Sequence, residues 1–488
     1  MLQIIKGNPD RVIVILSIVI PILIALMQTM YRSLKIREKI NNNIRQGILY
    51  RSNNKIEEAR KEFNKVFEYE NKKIFKGLVI NAKINFYETY NHDMINREKS
   101  LEYARVHEEE LIKKLPNYQA RKSLLFSKYK YQYAILCSNL GFVYNELALI
   151  RDAKSNYGSS KKYSLQAIDT YKKINRVNSY YFSTYGTVYS NLSITYRGLA
   201  NMNKNSMTLQ LSLNNAEKSL SIYEEMKDFI NIARVQNNIG NIYSDFIRYK
   251  NDKNEREKNY SNSEKYLHKS LEFYNIEKYP YEFARSYQNL GSLNLLMMCN
   301  DDDKDKIYSY YIKSEKNYEM CKKVFVKDKY ENEYINLYYN LMSLYFNALK
   351  RIGDMNLLSK IMDTGKFILD ICTIENRPKI YVDTNNIIAD AYKFTIETCE
   401  FTNESEKIDF IEETIAKYEI VLGFREFSIS DKANLIINIT RLNMTLLDMT
   451  GLIIYEEKCN YYCKELNEIL KVHPEVLNDI EDFMQNGY

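Results

Sequence analysis

The sequence is short of helix breakers. Its 488 residues include only 14 glycines and six prolines, which suits helices throughout. It is equally short of reaction chemistry. The four histidines, His92, His107, His268 and His473, stand apart, none of them in an HExxH sequence or beside a nucleophile motif. Neither GxxxxGK[ST] nor GxGxxG occurs, so no phosphate-cradling loop is expected. The acids read as solvated helix surface. We therefore expect no enzyme, no cofactor and no metal. The run Asp301-Asp302-Asp303-Lys304-Asp305 lacks the mid-loop glycine and closing glutamate of an EF-hand loop and reads as a solvated turn. Seven scattered cysteines are an odd number, which argues for reduced packing thiols instead of a disulfide framework. Cys459 and Cys463 share a helix face at i, i+4, and with no His/Cys pair nearby they too read as packing residues. Charge of one sign is also lacking. The 69 Lys and Arg against 63 Asp and Glu leave a net charge of +6, mild for this length, and no nucleic-acid patch stands out.

What is present is a repeat. An asparagine, an apolar residue and a small residue recur at Asn139-Leu140-Gly141, Asn191-Leu192-Ser193, Asn238-Ile239-Gly240 and Asn289-Leu290-Gly291, with weaker copies at Asn340-Leu341-Met342 and Asn438-Ile439-Thr440. The first five asparagines follow at steps of 52, 47, 51 and 51 residues, and the step of 98 to Asn438 leaves room for a degenerate copy near Asn386. A fixed period of this size marks a stacked repeat array. Long hairpins are expected over 118–175, 180–227, 229–276, 281–326, 328–372, 378–421 and 428–470, with two shorter ones at 40–73 and 74–115. Polar turns are expected at 201–206, 249–262 and 299–305, and the segment 91–96 fits a hinge. Stacking buries the apolar face that each hairpin leaves open. The 44 tyrosines read as packing residues of such helices.

The repeat resembles the tetratricopeptide repeat. Gly47, Tyr50, Ala59 and Phe63, at spacings of 3, 9 and 4, match that family's Gly, Tyr, Ala and aromatic positions. Gly141/Tyr144, Ser193/Tyr196 and Gly240/Tyr243 repeat the first half. Ala167 to Tyr171, Ser219 to Tyr223 and Ser270 to Tyr274 repeat the second half loosely. The steps exceed the family's 34 residues, so the chain is similar to the long-helix type seen in kinesin-light-chain-like and bacterial peptide-receptor repeats. The resemblance implies an all-α, right-handed superhelical solenoid of helix-turn-helix units.

Residues 12–30 form the one long apolar run, 19 residues without charge, about the length that spans a bilayer. It is long for a signal-peptide h-region, and no small-x-small cleavage site follows it. The organisation expected is a tail at 1–11, a transmembrane helix at 12–30, a basic stalk at 31–39, the array at 40–470 and a capping helix at 471–488. Lys6 and Arg11 precede the span, whereas Arg32, Lys35, Arg37, Lys39 and Arg45 follow it. The heavier side stays cytoplasmic by the positive-inside rule, which places the repeats in the cytoplasm.

The asparagines fall two residues before the small packing position, about 200° around the helix, so they should point away from the hairpin contact. In the family this resembles, that register faces a concave groove and its asparagines hold the backbone of a bound peptide. A primary amide offers donors and an acceptor for that task. Arg234 and Arg285 stand four residues before Asn238 and Asn289, on the same face. The expected peptide-binding residues are Asn139, Asn191, Arg234, Asn237, Asn238, Asn241, Arg285, Asn289, Asn340 and Asn438, with a continuous site over 234–347. The other use of these amides is structural, bonding helix to helix. The expected function is a membrane-anchored scaffold that binds peptide or protein segments. The alternatives are a receptor for a short signalling peptide or a structural subunit of a secretion or envelope assembly. No nucleic-acid partner is expected.

Overall fold

A computed structural model describes residues 9–53, 55–92, 97–115, 124–174, 179–249, 252–401, 403–424 and 428–477. Residues 93–96 of the expected hinge at 91–96, the expected unit start at Pro116, the outermost tail (1–8) and most of the expected capping helix (478–488) lie outside the described residues. Among those described there are eighteen α-helices, two short 3-10 turns (Lys73–Phe75 and Thr89–His92) and no strand. The chain divides into two compact units, Met1–Asn259 and Tyr260–Tyr488.

The first unit holds α1 (Pro9–Ser52), α2 (Ile56–Phe67), α3 (Lys76–Glu88), α4 (Arg97–Lys114), α5 (Leu124–Ala148), α6 (Ala153–Tyr171), α7 (Ser179–Asn203), α8 (Ser206–Met226) and α9 (Phe229–Arg248). The division falls within α10 (Lys253–Phe273). The second unit continues with α11 (Pro280–Asn300), α12 (Lys304–Lys322), α13 (Glu331–Ile352), α14 (Asn356–Leu369), α15 (Pro378–Thr398), α16 (Glu404–Leu422), α17 (Ile429–Thr450) and α18 (Ile453–Val472). Within each unit every helix packs on the next, from α1 through α9 and from α11 through α18. First helices also touch the first helix of the next hairpin: α5 meets α7 and α7 meets α9; α11 meets α13 and α13 meets α15. This is the paired packing of a helical repeat solenoid.

Local sequence sets the helix ends. Asn205, Asp228, Asp303, Asn403 and Ser428 cap α8, α9, α12, α16 and α17 by accepting backbone N–H bonds. Pro280 and Pro378 open α11 and α15, where a missing N–H costs nothing. Gly353 and Gly451, at φ of 77° and 66°, close α13 and α17 in the left-handed conformation that glycine adopts freely. Two turns differ from expectation. Residues 253–262, expected as turn, are the first half of α10, because Asp252 accepts from the Glu255 N–H and starts the helix early. The acidic run at 301–305 is solvated from Asp302 to Asp305, as expected, but its first residue is built in. Asp301 is 3% exposed and accepts from the N–H groups of Asp302 and Asp303. Arg351 of α13 donates to the carbonyls of Cys299 and Asp301.

Packing within hairpins depends on one small residue facing one large one. A Cβ on Gly291 would stand 2.5 Å from the ring of Tyr318, and one on Gly47 equally close to Phe63. In α13 and α14 the roles reverse: buried Met342 on the first helix faces Gly365 on the second. Serines of the second helices also bond carbonyls at the small positions. Ser160 donates to the Gly141 carbonyl at 2.7 Å, Ser212 to Ser193 at 2.7 Å and Ser314 to Gly291 at 2.8 Å, each contributing about 0.5–1.5 kcal/mol net. Tyr171, Tyr223 and Tyr274, near the ends of second helices, are 0%, 2% and 3% exposed. Of the two paired cysteines, Cys459 meets the Thr440 carbonyl at 3.6 Å, whereas Cys463 is exposed. It therefore does not pack as expected, because α18 buries only the face of Tyr455 and Tyr462.

The helix α1 runs unbroken through Pro21, about 66 Å at 1.5 Å per residue. It is long and apolar enough to cross a bilayer, a property that an N-terminal signal sequence shares. Its lower part already belongs to the array, since Ile40 is fully buried against Val66, Phe75 and Val79. At the other end, α18 stops at Val472 and Val476 folds back against Ala433 and Ile437 of α17.

Candidate functional site

The recurring asparagines occupy one register, yet their surroundings differ. Three amides are engaged inside the array. Asn139 on α5 donates to Glu108 Oε1 at 3.3 Å. Asn191 on α7 is 5% exposed and donates to the Ser138 carbonyl on α5 at 3.3 Å, while Asn145 of α5 donates to the Asn191 carbonyl at 2.9 Å. Asn438 on α17 is 7% exposed, and its Oδ1 accepts from Lys393 Nζ of α15 at 3.0 Å. All three bridge to another helix, so the register faces along the row of neighbouring helices. In the degenerate copy, Asn386 Nδ2 donates to Asp390 Oδ2 at 3.4 Å on the same helix, and Tyr418 donates to Asp390 Oδ1 at 2.7 Å. Burial raises the Asp390 carboxyl above its usual range.

On α9 the same register is open. Arg234, Asn237, Asn238 and Asn241 fall at i, i+3, i+4 and i+7, one continuous stripe. Arg234 is exposed and the three asparagines are half-buried. Asn241 Nδ2 donates to Asn237 Oδ1 at 3.3 Å. Among the described residues Asn238 has no side-chain hydrogen bond and Arg234 no ion pair. The opposite face of α9 carries the core residues Ala233, Val235, Ile239 and Ile242. The stripe ends at Asp245, 1% exposed, which is held by Arg197 Nε of α7 at 2.5 Å and Asn201 Nδ2 at 3.2 Å.

In the second unit, Arg285 and Asn289 share a face of α11. Arg285 is exposed, and its Nη1 donates to the Tyr281 hydroxyl at 3.2 Å, which in turn donates to Glu333 Oε1 at 3.1 Å. Asn289 is half-buried. On α13, Asn340 is half-buried and makes no side-chain hydrogen bond among the described residues. The structure thus gathers four of the ten expected residues on α9 and two on α11, leaves Asn340 open on α13, and engages Asn139, Asn191 and Asn438 between helices.

Reading the acids as surface missed Glu108. It is fully buried on α4. Burial holds its carboxyl well above the ordinary range, the Asn139 bond opposes this and Glu88 adds to it. Its Oε2 has no hydrogen-bond partner. The signal was present in sequence, because Leu101, Ala104, Glu108, Leu111 and Ile112 form one helical stripe that is otherwise apolar. Among the described residues, no group of three or more His, Cys, Asp or Glu is arranged to hold a metal.

No family model matches the chain, and no curated protein matches it. Among solved structures, a protein described as a circular tandem repeat protein with novel repeat topology and enhanced subunit contact surfaces is similar over 93% of this chain and 99% of its own. The identity is 13% and the TM-score 0.26. Similarity that loose carries no argument. The chain is a helical repeat array on the strength of its own helix pairing.

Proposed function

We propose that the chain is a membrane-anchored, tetratricopeptide-like scaffold whose first helices bind an extended peptide or protein segment, with the repeats on the cytoplasmic side. The observation that carries this is the α9 face of Arg234 and Asn238, which faces outward in a register where Asn139, Asn191 and Asn438 bond to neighbouring helices. Its chemistry suits a peptide. A primary amide such as that of Asn238 can hold a backbone without reading its sequence, and an exposed guanidinium pairs with a carboxylate. In the second unit Arg285 and Asn289 offer the same pair of groups on α11.

The test begins with the partner captured by the intact chain from native membranes. The double variant Arg234→Ala/Asn238→Ala loses two contacts at about 0.5–1.5 kcal/mol each, so binding weakens by about 5- to 150-fold. The arginine share of the loss shrinks at high salt. Unchanged binding by a normally folded variant overturns the assignment of this stripe.

A further inference from the structure

Beyond Met30, α1 leaves its apolar stretch without a break and turns basic. Tyr31 is 68% exposed, and Arg32, Lys35 and Lys39 follow at i, i+3 and i+7, all exposed and along one face. The connection from α2 to α3 folds back against this part of the helix. Phe75, 3% exposed, and half-buried Tyr69 pack with Ile36 and Ile40 of α1. Between the two lies an open cleft of about 890 Å³, lined by Arg32, Lys35, Lys39, Asn43 and Tyr69, with Glu38 as the single carboxylate. The Nδ2 of Asn43 has no acceptor. No ion pair engages Arg32, Lys35 or Lys39 among the described residues.

The connection adds a second element. Lys72, Lys73 and Lys76 are exposed around Ile74, which is 73% exposed. Ile74 does not hang on a loose loop, because the next residue, Phe75, is sunk in the core of the first hairpin. An apolar tip ringed by lysines is poorly suited to water and well suited to a charged interface whose far side is hydrocarbon. The placement along α1 agrees. Ile36 and Ile40 follow Met30 by six and ten residues, about 9 and 15 Å along the helix axis. The polar layer on each side of a bilayer core is about 5–8 Å deep, so when Met30 marks the end of the span Ile36 stands just outside that layer and the tip at Ile74 lies within a side chain's reach of the headgroups.

We propose that this end of the array is a binding site for anionic lipid headgroups. Arg32, Lys35 and Lys39 hold the headgroup phosphate in the cleft, while Lys72, Lys73 and Lys76 rest on the leaflet and Ile74 dips into it. Basic clusters directly beside a span attract acidic lipids. Here the cluster comes from two elements locked together by Phe75, so the lipid contact also fixes how the first hairpin leans on the membrane. The inference rests on α1 spanning the bilayer.

The chain contains no tryptophan, so Ile74→Trp gives the full-length protein a single reporter. The variant is reconstituted into vesicles of phosphatidylcholine alone or of phosphatidylcholine with phosphatidylserine. With the acidic lipid the emission moves to the blue and brominated acyl chains quench it several-fold more than in the neutral vesicles. High salt and the triple change Arg32→Gln/Lys35→Gln/Lys39→Gln both reverse the effect. Equal emission in the two lipids, with the protein floating in both, overturns the headgroup site and leaves the span intact. Reversal by millimolar-range inorganic phosphate assigns the cleft to free phosphate and overturns the lipid assignment. A chain that floats with neither vesicle overturns the spanning reading, and this proposal with it.

Discussion

The helices α7 and α9 carry the same three-residue signature and put it to different uses. On α7, Asn191 is buried against α5 and bonded to the Ser138 carbonyl; on α9, Asn238 is half-buried and makes no side-chain hydrogen bond among the described residues. The cause lies in what stands opposite each. Between α5 and α7 the contacts are short groups: Thr195 on Asn145 at 2.9 Å and Asn145 on the Asn191 carbonyl at 2.9 Å. Short groups let the backbones approach until an amide spans the gap. Between α7 and α9 the bridges, Arg197 and Asn201 on Asp245, lie at the C-terminal ends of both helices, and the two helices touch far less along their lengths. One repeat position therefore serves as a strut where its neighbour is close and as an open surface where its neighbour stands off.

Three measurements sharpen or break this contrast. The largest effect is expected at Glu108, the partner of the internal amide of Asn139. Its folded carboxyl holds a proton more tightly than it does in the unfolded chain. The first unit is then fully stabilised below the ordinary value of 4.5 and loses stability as pH rises above it, by up to about 1.4 kcal/mol per unit, until the native group ionises. Glu108→Gln keeps a polar group opposite Asn139 and removes the titration. Its denaturation midpoint should exceed that of the unaltered chain at neutral pH and lose that slope. A wild-type midpoint flat across this range shows that Glu108 is not held protonated.

Next in size is Asn191→Ala. It removes the bond to the Ser138 carbonyl inside a closed interface, which costs about 1–3 kcal/mol. Chemical denaturation should show the loss in the first unit. A change within about 0.5 kcal/mol would mean that water takes over the carbonyl and that α5 and α7 are held without this amide.

The smallest effect is expected at Asn238→Ala. Alanine favours a helix interior by a few tenths of a kcal/mol over asparagine, and no hydrogen bond is lost, so thermal unfolding should shift by no more than about 0.5 kcal/mol in either direction. A loss matching that of Asn191→Ala makes Asn238 a strut as well and removes the distinction between the two helices.

The sequence by itself determined that the chain is helical, where its hairpins fall and which residues share a face. Those properties are local, set by few helix breakers, by caps such as Asp228 and Asp303 and by the 3.6-residue period. The hairpin contact was legible on the same grounds, with small residues such as Gly47 and Gly291 opposite the rings of Phe63 and Tyr318. The reversed pair Met342 and Gly365 showed only once both helices were placed, since either residue alone reads as an ordinary core position. Tertiary structure alone decided which asparagines are covered. Asn191 meets a carbonyl 53 positions away, and Arg197 meets a carboxylate 48 positions away. Those contacts join one first helix to the next, and a helical period carries no information about how far away the next helix stands.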